Sequence, residues 1–391
     1  MTGTLLALIY VCFISLGLPD SLLGSAWPVM HSEISVPVSY AGIISLTICA
    51  GTILSSLFSD KLLRRFGAGK ITAVSVAMTA VALFGFSVSG SFWSIILWSI
   101  PYGLGAGAVD SILNNYVALH YKAQHMSWLH CMWGLGASVS PYIMSFSLVK
   151  LKDWNWGYLI VAVIQILLSV VIFCSILLWK KNGNTSNDNE RSSGRSMTFG
   201  EIFSIKGAIP CFITFFTYCS LELTTSLWAS SYLVEKWSFT PDAAAGFASM
   251  FFIGITVGRF ANGFLAMRFS DKRLIRIGMG IIATGIVMLF LPFHYIFALV
   301  GFVVIGLGCA PIYPCIIHMT PTVFGEKRSQ AMIGMQIAFA YTGFIITPTL
   351  FGVIAERASI SLLPLCQLVL LAVMLVTHEL VVKKKWHNIT E

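Results

Sequence analysis

Long apolar runs separated by short polar connections extend over almost the whole chain. Each run is long enough to cross a hydrocarbon core of about 30 Å as a helix, and backbone groups in lipid must form their hydrogen bonds internally. The pattern predicts spans at 4–30, 36–57, 70–89, 92–119, 126–149 and 157–179, and then at 207–234, 243–267, 275–292, 295–321, 329–352 and 359–381. We therefore predict an all-α membrane protein with twelve transmembrane helices in two pseudo-symmetric six-helix bundles.

A polar stretch separates the two sets of six spans. It reads KKNGNTSNDNERSSGRS from Lys180 to Ser196, and its lack of apolar periodicity is typical of a solvated linker. The predicted organisation is an N-terminal bundle over 1–180, a cytoplasmic linker over 181–198 and a C-terminal bundle over 199–391.

Three pairs of similar tracts relate the two halves. FSDKLLRRFG and FSDKRLIRIG share the same residue at seven of ten positions, GLGAGAVD resembles GLGCAPIY, and a hydroxyl residue precedes proline in the fifth and eleventh spans. The pairs begin at Phe58 and Phe269, Gly103 and Gly306, and Ser140 and Thr347. Their offsets lie between 203 and 211 residues, which indicates a duplicated six-helix unit.

Composition and charge support a membrane protein. The chain is 57% hydrophobic and 10% charged, with a mean hydropathy of +0.84, which is unlike a soluble protein of this length. A net charge of +8 would suit nucleic acid, but Lys and Arg lie almost entirely in alternate connections. Basic connections stay on the cytoplasmic side, so we expect a lipid bilayer and no nucleic acid as partner, with both termini cytoplasmic.

Cysteine usage and motifs argue against an enzyme or a metal protein. All nine cysteines fall within apolar spans, where they are typical of small packing residues. No HExxH, GxSxG or Cys/His metal spacing appears at the end of a span. We expect no enzymatic activity, no cofactor and no metal.

Two carboxylates fall inside apolar spans of the first half. Asp20 follows a proline in the first span, and Asp110 shares one stripe of the fourth span with Gly103, Gly107 and Asn114. A charge at the centre of a membrane helix costs about 2.5–3.5 kcal/mol or more, so each acid needs a reason. Both are candidates for proton coupling in a wet cavity. The alternatives are a cap at the kink for Asp20 and close glycine packing for the fourth-span stripe.

Polar and aromatic residues in other spans are candidates for contacting a solute. Glu222 either contacts the solute or forms a structural ion pair with Arg259, and His130 is a packing residue or a substrate or proton contact. Hydroxyls of a sugar need donors and acceptors while its ring face stacks on an aromatic ring, although drugs and organic ions use similar residues. The candidate substrate-binding residues are Asn114, Asn115, His130, Trp133, Glu222, Trp228, Tyr232 and Gln336.

The charged phrase resembles a loop of the major facilitator superfamily. DKLLRR at 60–65 fits that family's pattern of an acid followed by basic residues between the second and third spans, although Ser56 and Leu63 stand where the pattern prefers glycine. An acid and several bases at a helix end can join two bundles through charge-assisted hydrogen bonds. The predicted cytoplasmic gate residues are Asp60, Arg64, Arg65, Asp271, Lys272 and Arg276. The alternative for each is a charge that only sets orientation.

Four tracts resemble the fucose/glucose permease branch of that superfamily: GLGAGAVDSILNNYV, WGLGASVSPY, ELTTSLWASSYL and FIGITVGRFANGFL. The resemblance implies the major facilitator fold and transport of a monosaccharide coupled to protons, with sodium as the alternative ion. It implies sugar recognition or proton coupling by Asp110, with Asp20 matched more loosely and Glu222 and Trp228 in the acidic-aromatic tract. We expect a monomer in a bacterial inner membrane whose bundles rock about a central site. The rival hypotheses are a polyspecific efflux carrier and a receptor that does not transport.

Overall fold

The structure is a computed structural model, and it describes residues 2–37, 40–176, 179, 196–239 and 241–383. Within these ranges the regular secondary structure is helical throughout. Contacts divide the chain into two units, Met1–Tyr116 with Leu129–Met197 and Val117–Trp128 with Thr198–Glu391. Most of the predicted linker lies outside the described residues, and the predicted bundle boundaries stay a prediction.

The first six spans include three with a marked local break. The first span breaks at Ser21, just after Pro19, because proline removes a backbone hydrogen bond and clashes with the preceding turn. The second span bends by 55°, and the fifth ends in a turn of π-helix, Ser147–Leu151. The helices are Thr2–Asp20, Leu22–Glu33, Ala41–Leu57, Ser59–Phe66, Ala68–Ser87, Phe92–His120, Ala123–Phe146 and Asn155–Cys174.

The second six spans follow a short helix, Phe199–Ser204, which begins with a reciprocal capping box between Thr198 and Glu201. The spans themselves are Ala208–Trp237, Pro241–Leu265, Asp271–Phe290, Tyr295–Cys309 with Ile312–Phe324, Glu326–Arg357 and Leu363–Lys383. By length and hydropathy, nine helices among the described residues are suited to cross a membrane, and the bent second span makes ten. With the fifth and eighth spans added, the predicted twelve-helix architecture is confirmed.

The two copies of the charged phrase occupy different structural positions. The first forms the separate helix Ser59–Phe66, which ends at Gly67 with a φ of 79°, a left-handed value that favours glycine. The second runs into the ninth span, whose helix begins at Asp271 and continues past the matching Gly278. Seven shared residues therefore do not impose the same break.

Internal duplication is visible in how the helices pack. A Cβ atom at Gly103 in the fourth span would collide with the carbonyl of Ile48 in the second span. A Cβ atom at Gly306 in the tenth span would collide with the carbonyl of Phe251 in the eighth span. Both members of the second contact lie 203 residues after those of the first. Close approach through small residues is a common way for membrane helices to pack.

The same offset relates a second set of contacts. A Cβ atom at Gly105 would meet the carbonyl of Ser75 at 2.6 Å, and one at Gly308 would meet the carbonyl of Gly278 at 2.7 Å. These contacts join the fourth span to the third and the tenth span to the ninth. The 203-residue repeat therefore preserves the packing of three consecutive spans within each unit.

We predict that Gly103→Ala and Gly306→Ala each destabilise the protein by about 1–3 kcal/mol, because an overpacked helix contact forces the backbones apart. Unfolding of the purified protein in mixed detergent measures the change. Gly280→Ala is the matched control, since its Cβ atom would meet nothing within 4 Å. Equal loss of stability in all three variants would contradict the packing explanation.

Apolar side chains also cover much of the outer surface. Leu97, Leu167 and Val287 are 63%, 62% and 58% exposed, and many other large apolar residues of the spans are similarly uncovered. Such extensive apolar exposure is unusual for a soluble protein, whereas apolar lipid tails can cover these side chains in a membrane. The protein is therefore an integral membrane protein.

Candidate functional site

Asp20 is the centre of a hydrogen-bonded group in the first unit. The Tyr102 hydroxyl donates to Asp20 Oδ1 at 3.1 Å, and the Trp133 indole Nε1 donates to Asp20 Oδ2 at 2.8 Å. Two donors on two oxygens suit an ionised carboxylate, which only accepts. Asp20 retains exposed surface although it lies in an apolar span.

Local packing positions these three side chains. The break after Asp20 lets the first span turn at Ser21. A Cβ atom at Gly17 would collide with the carbonyl of Trp133, so the absence of a side chain there allows the first and fifth spans to approach closely. Tyr102 follows Pro101 within the fourth span. It also lines a cavity of about 10 Å³, which is the size of one water molecule.

Asp110 belongs to a second, more buried polar group. Asn114 Nδ2 donates to Asp110 Oδ1 at 2.8 Å, and His130 Nε2 lies 3.1 Å from Asn114 Oδ1. With the amide in this orientation, Nε2 of His130 carries the donated proton. Asp110 is 7% exposed and Asn114 fully buried. The hydrogen bond from His130 to Asn114 thus fixes the orientation of the amide that contacts the Asp110 carboxylate.

The glycines of the fourth-span stripe pack against the second span. Gly103 and Gly107 both lie against its backbone, and the hydroxyls of Thr52 and Ser56 donate to the carbonyls of these glycines at 3.2 Å. The wet-cavity expectation for this part of the stripe is therefore wrong, since the glycines face a neighbouring helix. The buried carboxylate of Asp110 is not explained by that packing.

In the second unit, Glu222 and Arg259 form a buried ion pair. Arg259 Nη2 lies 3.4 Å from Glu222 Oε1, and the side chains are 6% and 16% exposed for Arg259 and Glu222 respectively. The structure thus contains the predicted ion pair between Glu222 and Arg259. Whether the pair also meets a solute stays a prediction.

Trp228 lies on the wall of a cavity in the second unit. Its indole Nε1 donates to the carbonyl of Pro348 at 3.0 Å, which fixes the ring between the seventh and eleventh spans. The cavity has a volume of about 700 Å³, and its lining includes Glu235 and Glu356. An aromatic ring with two carboxylates offers both stacking and hydrogen-bond acceptors.

Three other candidate residues lie among packed helices. Tyr232 is fully buried and donates to the carbonyl of Leu289 at 3.0 Å. Gln336 is fully buried, and its Nε2 donates to Thr320 Oγ1 at 3.1 Å. Asn115 is 3% exposed. We leave these three outside the proposed site because in this structure a solute has no access to them.

The first predicted gate cluster is internal to one helix. Arg64 Nε donates to both carboxylate oxygens of Asp60 at 3.0 Å, one turn apart on Ser59–Phe66. The guanidinium of Arg65 lies 5.2 Å from the centre of the Phe66 ring. The cluster contains the predicted acid-base contact, and its role in a gate stays a prediction.

The second predicted gate cluster is divided between two partners. His318 Nδ1 lies 2.7 Å from Asp271 Oδ2, and Arg276 forms a two-point contact with Glu379 at 2.7 and 2.9 Å. Lys272 is exposed. Ile275 replaces the counterpart of Arg64, which explains why the acid of this copy contacts a histidine from another helix.

Sequence reasoning missed three of these contacts. Glu379 and His318 are ionisable residues inside apolar spans, so the criterion that selected Asp20 would also have selected them. Tyr102 has no such signal, because an isolated tyrosine in a membrane helix is ordinary. Its role appears only when the first and fourth spans are placed together.

Comparison with known families agrees with this architecture. The sequence profile of the Major Facilitator Superfamily matches residues 9–234 and 210–387. The chain belongs to the major facilitator superfamily. The related proteins are transporters and not enzymes, and the chain shares their fold.

Individual members of the superfamily match most of the chain. Bypass of stop codon protein 6 of Saccharomyces cerevisiae is 25% identical over 398 residues, covering 91% of this chain and 78% of that protein. Glucose/mannose transporter GlcP of Bacillus subtilis is 21% identical over 354 residues, covering 88% and 86%. The crystal structure of the E. coli fucose:proton symporter FucP matches with a TM-score of 0.73 and 15% identity, covering 95% and 98%.

These relatives confirm the predicted resemblance to the fucose/glucose permease branch of the superfamily. At 15% identity the FucP structure shows a shared fold alone. The chain is thus a major facilitator superfamily transporter whose solute and coupling ion must be inferred from its own residues.

Proposed function

We propose that this chain is a secondary active transporter that carries a monosaccharide together with a proton by alternating access. The observation that carries the proposal is the exposed carboxylate of Asp20 inside an apolar span, with the Tyr102 hydroxyl and the Trp133 indole on its two oxygens. A charge so placed is costly, and proton binding with solute recognition gives it a use.

A monosaccharide suits the chemistry of this group. The hydroxyls of a sugar can donate to Asp20 and accept from the Trp133 indole N–H, while its apolar face can stack on an aromatic ring. In the second unit, Trp228 lines a cavity together with Glu235 and Glu356, which offers the same combination of aromatic ring and acid. The related proteins GlcP, a glucose/mannose transporter, and FucP, a fucose:proton symporter, favour this solute class over a drug.

Protonation of Asp20 would change which donors are available. The ionised carboxylate accepts from Tyr102 and Trp133 together. When one oxygen carries a proton, it becomes a donor while the other oxygen still accepts, so the neutral carboxyl group can both donate to and accept from a sugar hydroxyl. In this way proton and sugar favour each other. Asp110, held by Asn114, is the second proton-binding group.

Transport by this family fold needs alternating access, in which one face closes as the other opens. We propose that the charged clusters around Asp60 and Asp271 act as the cytoplasmic gate, that both termini are cytoplasmic and that the protein works as a monomer in a cell membrane. The predicted bacterial inner membrane remains part of this proposal. Sodium is the alternative coupling ion.

The test is uptake by purified protein in proteoliposomes. With the outside acidic, we expect labelled glucose, mannose, fucose or xylose to accumulate above equilibrium, because a proton gradient supplies the driving force. A protonophore should abolish accumulation, and a sodium gradient alone should not support it. Thermal stabilisation by the same sugars provides an independent measure of binding.

Three outcomes would contradict the proposal. Accumulation of an amphipathic drug without any sugar would indicate the efflux hypothesis. Accumulation driven by sodium alone would replace the coupling ion. Sugar binding with no exchange of labelled sugar across the membrane would indicate a receptor.

A further inference from the structure

His318 connects two parts of the second unit through both ring nitrogens. Its Nδ1 lies 2.7 Å from Asp271 Oδ2 at the start of the ninth span, and its Nε2 lies 3.3 Å from the carbonyl oxygen of Tyr121. Tyr121 belongs to Val117–Trp128, which comprises the end of the fourth-span helix, the short connection and the start of the fifth-span helix, and which groups with the second unit. We call it the connecting segment. His318 thus bridges this connecting segment and a helix start.

The number of N–H groups on the His318 ring decides how many of its two partners it can satisfy. An ionised carboxylate and a backbone carbonyl only accept hydrogen bonds, so each needs an N–H from the ring. Neutral histidine has one N–H and can satisfy one partner, whereas imidazolium has two and satisfies both. The side chains of His318 and Asp271 are 19% and 15% exposed, so protons can reach the pair.

Other contacts hold the connecting segment without any titratable group. Asn262 Nδ2 donates to Ser127 Oγ at 2.7 Å, and the ring of Trp128 packs edge-on against Phe264 at 5.6 Å. These contacts keep the segment near the eighth span at every pH. The bond to His318 is therefore an additional attachment at the Tyr121 end.

We propose that His318 is a proton-operated latch, which in its protonated form ties the connecting segment to Asp271 and in its neutral form releases Tyr121. Histidine is the side chain best suited to change its charge near physiological pH, so it can serve as a proton-dependent contact. The inference goes beyond the proposed function, which places the Asp271 cluster in a gate but gives His318 no proton-dependent contact. Its test needs no transport measurement.

Several other ionisable groups lie near this end of the molecule. They are His120, Lys122 and His125 on or beside the connecting segment, Lys272 and Arg273 after Asp271, and Glu326, Lys327 and Arg328 at the start of the eleventh span. Among the residues that the structure describes, the polar partners of His318 are Asp271 and Tyr121. His125 stacks on Tyr121 at 5.8 Å and on Trp128 at 5.6 Å, so its titration must be tested separately.

The experiment is hydrogen exchange of the full-length protein in detergent between pH 5.5 and 8.5, followed by mass spectrometry and corrected for intrinsic exchange rates. In the wild type, protection of the peptide spanning 119–126 should fall by about tenfold as pH rises, the change that one charge-assisted hydrogen bond supports. His318→Gln should give low protection at every pH, because glutamine cannot reach both partners or take up a proton.

Asp271→Asn is the complementary variant. An asparagine amide can donate to Nδ1 of neutral histidine, which leaves Nε2–H for the Tyr121 carbonyl. Protection should then be high and independent of pH. The two variants therefore predict opposite plateaus, which a general loss of stability cannot produce.

Two controls separate the latch from its surroundings. Asn262→Ala should lower protection by a constant factor and keep the pH step, and His125→Gln should keep the step at full size. A pH step that survives in His318→Gln, or is lost in His125→Gln, would overturn the proposal. Wild-type protection that does not change with pH would overturn it too.

Discussion

Asp110→Asn is expected to abolish proton-driven accumulation of sugar while leaving equilibrium exchange of labelled sugar intact. The carboxylate is 7% exposed within the fourth span, where its ionised form is costly. Asn114 donates to it through a neutral amide, which cannot balance a full charge. We therefore expect Asp110 to be one of the groups that take up and release the coupled proton.

Asparagine replaces aspartate with little change in size and removes only the titration. The amide oxygen of the variant can still accept from Asn114 Nδ2, so the contact at 2.8 Å has a counterpart. Sugar should still bind and exchange, because carrier movement without a proton becomes permitted. Labelled hexose under an inward proton gradient should then rise to the external concentration and not above it.

Ser111→Ala is the matched control. Ser111 is equally buried, and its hydroxyl donates to Ser59 Oγ at 2.9 Å, so the variant loses a polar contact but no titratable group. It should accumulate sugar. If Asp110→Asn accumulates sugar as the wild type does, Asp110 is not a coupling acid. If accumulation and exchange fall together, Asp110 supports the fold instead.

Much of the fold could be predicted because membrane helices carry strong signals. A run of about twenty apolar residues is long compared with helices of soluble proteins, and the charge pattern of the connections separates neighbouring spans. The repeated tracts around Gly103 and Gly306 indicated duplication, and the structure places both glycines in equivalent helix contacts. Pro19 indicated the break beside Asp20, whereas no pattern in the sequence revealed the 55° bend of the second span.

The acids were predictable and their partners were not. Asp20 and Asp110 could be identified from the sequence because a carboxylate inside an apolar run is energetically costly. The donors to Asp20 come from residues 82 and 113 positions away, and no local pattern encodes such contacts. Glu222 and Arg259 are the exception, since an acid and a base in neighbouring spans leave few ways to balance the charges.

The charged phrase shows how one substitution redirects a similar sequence. Arg64 lies one turn after Asp60 and pairs with it, which supports a separate short helix. In the second copy Ile275 occupies the matching position and is buried, so Asp271 contacts His318 of the tenth span. Similarity at seven of ten positions indicates common origin, but the remaining positions determine the partner.

Arg259→Met is expected to lower the free energy of unfolding by about 3–5 kcal/mol, the usual effect of leaving one charge of a buried pair without its partner. Arg259 and Glu222 are 6% and 16% exposed, so water cannot replace the missing contact fully. The loss is measured by reversible unfolding in mixed detergent. Arg276→Met is the matched control, because Arg276 also pairs with a glutamate but is 49% exposed, and such a pair contributes about 0–1 kcal/mol.

The double variant Glu222→Leu with Arg259→Met decides between the two interpretations of this pair. Removing both charges should restore most of the lost stability, since apolar side chains of similar volume replace a buried ion pair at little cost. If the pair is structural, the restored protein should still exchange labelled sugar. If Glu222 contacts the sugar, the restored protein should fold and fail to bind it. Full stability of Arg259→Met alone would contradict the ion pair itself, because leaving a buried carboxylate without its base should destabilise the protein.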